Sequence, residues 1–352
     1  MKNEKTRRAS PGLVGLLKWS LAQQGKGSGD EEGGGGGGGG GGKQVRQLSD
    51  EERRWFYEAM ESQVEDEGER MKQGMLVLAS QATDAGNVQR HIDAVEDLED
   101  LVAQIDLAKT FVKLEGMGIL LGVATGNSGD NASPPVDAKR LNQLRAGALT
   151  TAATCIQHNV EAQNDFLQRG GIELMISLVG KREEDAKVRA KAVSTIAATV
   201  RHNARAFMQF LYANGLKHCL LALKDCTSGS GSEAVLPRKS FRLLEYGVRE
   251  TRAKFGPRRI QQVADCLAEA PALVLASLES SEDMEVRESS LAFLNECCLS
   301  SKSFARTELG SDLVSKLRKI AAGIEDGKVD DAYLDEVNLA KDILKTHDGD
   351  EN

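Results

Sequence analysis

Aromatic residues make up only 4% of the 352 residues, and prolines number six. Strands and tight turns draw on those residue types, so an all-β fold is excluded first, whereas Ala- and Leu-rich helices suit the composition. Long hydrophobic runs are also missing. The best of them, such as Met117–Ala124, fall far short of the roughly 18–20 residues that a membrane helix needs. The six cysteines, at 155, 219, 226, 266, 297 and 298, show no C-x-x-C spacing, and the adjacent Cys297–Cys298 pair suits neither a disulfide framework nor a zinc site. That usage points to a reducing compartment. Positive charge is in deficit: 45 basic against 53 acidic side chains give −8, which argues against a general nucleic-acid binder. The basic N-terminus precedes an apolar run, Gly12–Leu17, that Lys18 cuts short with no small-residue cleavage site behind it, so a secretory signal is not expected. A mitochondrial transit peptide stays open as an alternative, because residues 5–29 contain no acid.

What is abundant is glycine, and only locally. Of 36 glycines, 15 fall in residues 1–42, and residues 25–42 hold 13 in 18 positions, ending in an unbroken run from Gly33 to Gly42. Such a coil has an r.m.s. reach of about 24 Å and acts as a tether. Before it lies one amphipathic island, Leu13–Leu21, in otherwise polar sequence. After it, Ser49-Asp50-Glu51-Glu52 reads as a capping box for a helix bearing Trp55, Phe56, Ala59 and Met60, and Met71–Leu78 reads as a second short helix.

From there a longer period takes over. The segments Leu144–Ile156, Val188–Val200, Leu236–Val248 and Val286–Cys298 superimpose without gaps, their starts 44, 48 and 50 residues apart. Two further helical pieces follow in the clearest copies: Phe166–Gly171 with Ile172–Val179, and Phe210–Gly215 with Leu216–Leu223. An earlier copy runs from Arg90 into Phe111–Gly116 and Met117–Ala124, with Gly126–Pro135 as an inserted loop. Three helices per copy at a period of about 40–47 residues is the armadillo/HEAT signature. The glycines between second and third helices are expected where the chain needs positive φ.

Enzymatic chemistry finds little support. Gly37-x-x-x-x-Gly42-Lys43 imitates a phosphate loop, but Gln44 replaces the magnesium-binding hydroxyl and no strand precedes it. His158 and His202 occupy equivalent places one repeat apart, about 10 Å or more, too far to share one metal, and Asn159 and Asn203 are expected to cap the following helices. No cofactor or metal site and no catalytic residue is expected. The surface available for function is the inner wall of the array, lined by the first helix of each copy. Peptide-binding armadillo arrays carry Trp and Asn there, four residues apart. The matching pairs here are Thr150/Thr154, Ser194/Ala198, Arg242/Tyr246 and Ala292/Glu296, so that ladder is missing. In its place stand cations at recurring positions: Lys191 with Lys239, and Arg201 with Arg249. They favour an acidic protein surface as partner.

The chain resembles the Fes/Hsp70-binding-protein family of armadillo-type nucleotide exchange factors. The resemblance rests on Leu16-Leu17-Lys18-Trp19-Ser20-Leu21-Ala22, similar to the family's Leu-Leu-x-Trp-Ser-x-Ala opening, and on Asp106-Leu107-Ala108, Gln157-His158-Asn159, Val188–Ala192 and Leu236–Ser240 in the family's order. It implies a non-enzymatic, cytoplasmic co-chaperone, with a nuclear pool left open. Such a monomer would hold lobe II of the Hsp70 nucleotide-binding domain in its concave face and release ADP. It also implies that Leu13, Leu16, Leu17, Trp19 and Leu21 form a release segment for the chaperone's substrate-binding domain. Ala108 and Lys239 fall at contact positions of the family, to which the wall residues Lys191, Arg201 and Arg249 are added. An armadillo-type scaffold for a different partner is the alternative. The expected fold is an all-α armadillo/HEAT-like α-solenoid of about five repeats with capping helices and a disordered Gly-rich N-terminal arm. Its expected divisions are a flexible segment at 1–24, a linker at 25–48, capping helices at 49–87, repeats at 88–330, a capping helix at 331–346 and an acidic tail at 347–352.

Overall fold

The computed structural model describes residues 67–80, 85–126, 137–226, 234–255, 263, 268–322 and 333–349. The expected release segment, linker, capping box and 126–135 insertion loop, apart from Gly126, lie outside these residues. The chain divides into a unit up to Arg70 and a unit from Met71 onward. Of the first, only Glu67–Arg70 is described, an opening turn of helix.

Among the described residues there are sixteen helices and no strand: α1 Glu67–Ala79, α2 Ala85–Val102, α3 Ile105–Lys113, α4 Gly116–Thr125, α5 Ala138–Ile156, α6 Val160–Gln168, α7 Gly171–Gly180, α8 Ala186–Val200, α9 Ala204–Tyr212, α10 Gly215–Lys224, α11 Val235–Lys254, α12 Ala270–Ser280, α13 Met284–Ser300, α14 Lys302–Thr307, α15 Ser311–Ala322 and α16 Leu334–Asp348. The second unit is an all-α solenoid. Helices α2, α5, α8, α11, α13 and α16 pack side by side in one row, and α4, α7, α10, α12 and α15 each pack against the row helix that follows. The C-terminal helix runs two residues beyond the expected boundary at 346. His347 explains the extension, because its Nδ1 lies 2.7 Å from the Ala305 carbonyl and docks the last turn, with Gly349 then leaving at φ 82°.

Alanines keep the row tight, since Ala148, Ala152, Ala190 and Ala192 are all buried and let backbones approach. Hydroxyls then tie neighbours together across the small gaps. Thr151 Oγ1 donates to the Val95 carbonyl at 3.2 Å, Thr195 Oγ1 to Leu149 at 3.1 Å, and the Tyr246 hydroxyl to Val200 at 3.3 Å. A second tie recurs with more charge. Arg145 Nε donates to Ala124 O at 2.9 Å while its two Nη atoms grip Glu184, each at 2.7 Å. Arg189 Nε reaches Val179 O at 3.0 Å and its Nη2 reaches Asp225 at 3.2 Å; Arg287 reaches Leu278 O at 3.0 Å and clasps Glu336. Each strap closes the end of the helix that precedes its own and binds a carboxylate further along the chain, so it holds neighbouring repeats in register.

One turn glycine follows the expectation: Gly170 takes φ 69°. In the other two turns positive φ falls on Glu115 (66°) and Asn214 (56°), each one residue before the glycine. Gly116, Gly171 and Gly215 open the third helices, where a Cβ would meet the ring of Phe111 at 2.4 Å, of Phe166 at 2.5 Å and of Phe210 at 2.1 Å. Those rings are fully buried, and the glycines exist to admit them. Gly215→Ala should therefore cost about 1–3 kcal/mol through overpacking alone, and calorimetry should show a lower Tm; an unchanged Tm would remove the ring contact as the reason for this glycine.

Candidate partner-binding site

The row supplies a cleft of about 640 Å³ where α5, α8 and α11 lie side by side. Its floor is small: Thr150, Ala153, Thr154, Ser194, Ala197 and Ala198 all line it. The positions that would carry Trp and Asn in a peptide-binding array are thus part of the hollow itself. Around it stand Lys191 from α8, Lys239 and Arg242 from α11, and Arg201 from the turn after α8. No carboxylate is among the described lining residues.

The rim is shaped by the two equivalent turns. Asn159 and Asn203 cap α6 and α9, their side chains accepting from Ala162 N at 3.2 Å and Ala206 N at 3.0 Å, as expected from the sequence. The preceding His158 and His202 take φ 58° and 60°, a left-handed conformation that histidine tolerates better than most residues, and both line the cleft. Beneath them Gln163 joins two repeats: its Nε2 donates to Ala198 O at 3.3 Å and its Oε1 accepts from Asn203 Nδ2 at 3.0 Å.

Electrostatics at Lys239 reflect this setting. Burial, and then the charges of Lys191, Arg238, Arg242 and Arg201, hold its ammonium below the ordinary lysine pKa. Among the described residues, Lys191, Arg201 and Lys239 have no ion-pair partner, and Arg242 reaches only Glu285, at 3.5 Å. Several arginines elsewhere are matched. Arg145, Arg189, Arg238, Arg249, Arg252 and Arg287 each have a carboxylate partner.

The fold therefore brings Lys191, Arg201 and Lys239 together at one cleft. Arg249 does not line it; it lies half-exposed further along α11, paired with Glu245. Ala108, which the resemblance places at a chaperone-contact position, is buried here. It is 2% exposed, on the apolar face of α3 with Phe111 and Val112, and its carbonyl lies 3.9 Å from the Cys155 thiol. It holds the place that Gln163 fills one repeat later, three residues before the buried Phe. With alanine there, Asn159 Nδ2 is left buried without a partner. Leu13, Leu16, Leu17, Trp19 and Leu21 lie outside the described residues. Sequence reasoning missed Arg242, His158 and His202 as lining residues. Arg242 lies three residues after Lys239, one helical turn away on the same face, which is the signal that could have found it.

Against this geometry stand the comparisons with known proteins. Residues 13–111 match the model of the family described as Nucleotide exchange factor Fes1. The match spans less than a third of the chain. The matched stretch includes the Leu-Leu-x-Trp-Ser-x-Ala opening and Asp106-Leu107-Ala108, and it ends on α3. No curated protein matches the chain. Two crystal structures, each described as an engineered protein of the Northeast Structural Genomics Consortium, align over 79% and 78% of this chain and 97% and 98% of theirs. Their TM-scores are 0.55 and 0.57 at 17% and 16% identity, a likeness of fold alone. Among the described residues no helix is long and apolar enough to cross a membrane.

Proposed function

We propose that this protein accelerates ADP release from a cytoplasmic Hsp70 by holding lobe II of its nucleotide-binding domain against the row of helices α5, α8 and α11. The observation that carries this reading is the carboxylate-free cleft with Lys191, Arg201 and Lys239, in a chain whose N-terminal part matches the Fes1 family. An acidic surface of the chaperone supplies the missing counter-charges. No covalent chemistry is needed. A partner of this kind acts through differential affinity, and binding the opened, nucleotide-free chaperone tenfold more tightly than the closed one shifts that equilibrium by about 1.4 kcal/mol. Leu13, Leu16, Leu17, Trp19 and Leu21 on the Gly-rich tether serve as a segment for the chaperone's substrate-binding domain. Tethering raises the local concentration to about the millimolar range, so weak intrinsic affinity suffices. The protein acts as a monomer in this scheme.

The test is stopped-flow release of labelled ADP from Hsp70. Addition of this protein should speed release, whereas an unchanged rate with a folded sample would end the exchange reading. Deleting residues 1–42 should leave that acceleration intact and slow the release of a bound client peptide. Loss of exchange on deletion would show that the arm's role has been misassigned.

A further inference from the structure

We propose that the cleft between α5, α8 and α11 also binds free phosphate-bearing anions, and that these compete with the chaperone for it. Four cationic side chains converge there from two helices and a turn, and among the described residues no carboxylate lines the space. On the same row Arg145, Arg189, Arg238 and Arg287 are paired with Glu184, Asp225, Glu285 and Glu336, whereas at the hollow Lys191, Arg201 and Lys239 have no ion-pair partner among the described residues and Arg242 shares Glu285 at 3.5 Å. The hollow has the volume of a small-molecule site, which is typically about 300–1,000 Å³, because its floor is alanine, serine and threonine.

Phosphate chemistry fits better than a lone carboxylate. A single carboxylate can satisfy one or two cations, whereas a phosphate chain carries several charges along its length and can satisfy Lys191, Arg201, Lys239 and Arg242 at once. Phosphate also binds lysine as a point charge and arginine through paired N–H donors, and both kinds of cation are present. Two sources share this chemistry, inorganic polyphosphate and the triphosphate of a nucleotide. The competition rests on the cleft being the chaperone contact; the binding does not.

The two are tested apart. The full-length protein is melted without chaperone in tripolyphosphate, in ATP, and in sodium chloride of matched ionic strength. Tripolyphosphate at about ten times its Kd should raise Tm by about 3 °C over chloride. The shift should vanish in Lys239→Met and in Lys191→Met, each compared with its own unliganded Tm. An equal shift with ATP identifies nucleotide as a source, and a shift with tripolyphosphate alone identifies the inorganic chain. A shift no larger than that from chloride, or one retained in both variants, overturns the site. In the second arm, tripolyphosphate at constant ionic strength should slow the ADP release that this protein stimulates and leave the chaperone's unstimulated rate alone. Binding without that slowing would overturn the competition and leave the anion site standing.

Discussion

Arg145→Met should destabilise the solenoid by about 3–5 kcal/mol, lowering Tm by about 10 °C. The Glu184 side chain is 5% exposed and takes both Nη atoms of Arg145, so removing the guanidinium leaves a carboxylate buried without its counter-ion. Ala124 O loses its side-chain donor as well. The direction of the pH dependence follows from Glu184. Burial pushes its carboxyl up, but the hydrogen bonds and charge of Arg145, with the Asp185 amide and Lys181, bring it below the ordinary glutamate value. Its folded pKa is therefore depressed. The stabilisation it provides is full above the unfolded pKa of about 4.3 and is lost as the pH falls through the lowered folded value. In Arg145→Met the same carboxyl is desolvated with its main partner gone, and protonation relieves it. The gap between variant and parent should then narrow on acidification, and Arg145→Met/Glu184→Gln should recover much of the loss at neutral pH. A neutral-pH loss below about 1 kcal/mol, with no rescue by the second substitution, would show that the strap is not what holds these repeats together.

That strap marks the boundary of what the sequence makes legible. The recurrence of arginine in Leu144-Arg145, Val188-Arg189 and Val286-Arg287 is visible in the aligned copies, as are the row helices and the Asn159 and Asn203 caps. The arginines' partners are not, because Glu184, Asp225 and Glu336 lie 39, 36 and 49 residues onward, on three different kinds of segment. A periodic pattern fixes which face a residue occupies, but it does not fix which distant carboxylate the fold delivers to that face. The glycines show the same limit on a smaller scale. The sharp turn is readable, and Gly170 takes positive φ as expected, yet in the other two turns it goes to Glu115 and Asn214, while Gly116, Gly171 and Gly215 make room for rings whose positions only packing determines. Ala108 was misplaced for a related reason. A sequence match assigns it a position but not an exposure, and the apolar stripe of α3 turns it into the core. Lys191 and Lys239 were legible as equivalents one repeat apart. Their convergence with Arg201 and Arg242 on a hollow needed the packing of α5, α8 and α11.

Lys191→Glu/Lys239→Glu should abolish stimulated ADP release, with the affinity for the chaperone falling at least about 100-fold, or roughly 2.7 kcal/mol. Each reversal replaces attraction to an acidic partner with repulsion inside a half-enclosed space, where charges are screened less than on an open surface. Arg249→Glu is the internal control. Arg249 lies off the cleft and is already paired with Glu245, so its reversal should change the rate less than about threefold. Equal losses from both would mean that the whole face, not the cleft, makes the contact. Stability should move the opposite way from binding. The pKa of Lys239 is depressed by burial and by its cationic neighbours, so the folded state binds fewer protons than the unfolded chain between that lowered value and about 10.4. In that window stability rises with pH, and at neutral pH, with the ammonium charged, the site carries a cost. Lys239→Met should therefore leave Tm equal or higher while it weakens exchange. A variant that loses both stability and exchange would mark Lys239 as a structural residue, whereas the expected pairing of higher Tm with weaker exchange is what a charge kept for a partner must show, because nothing within the fold compensates it.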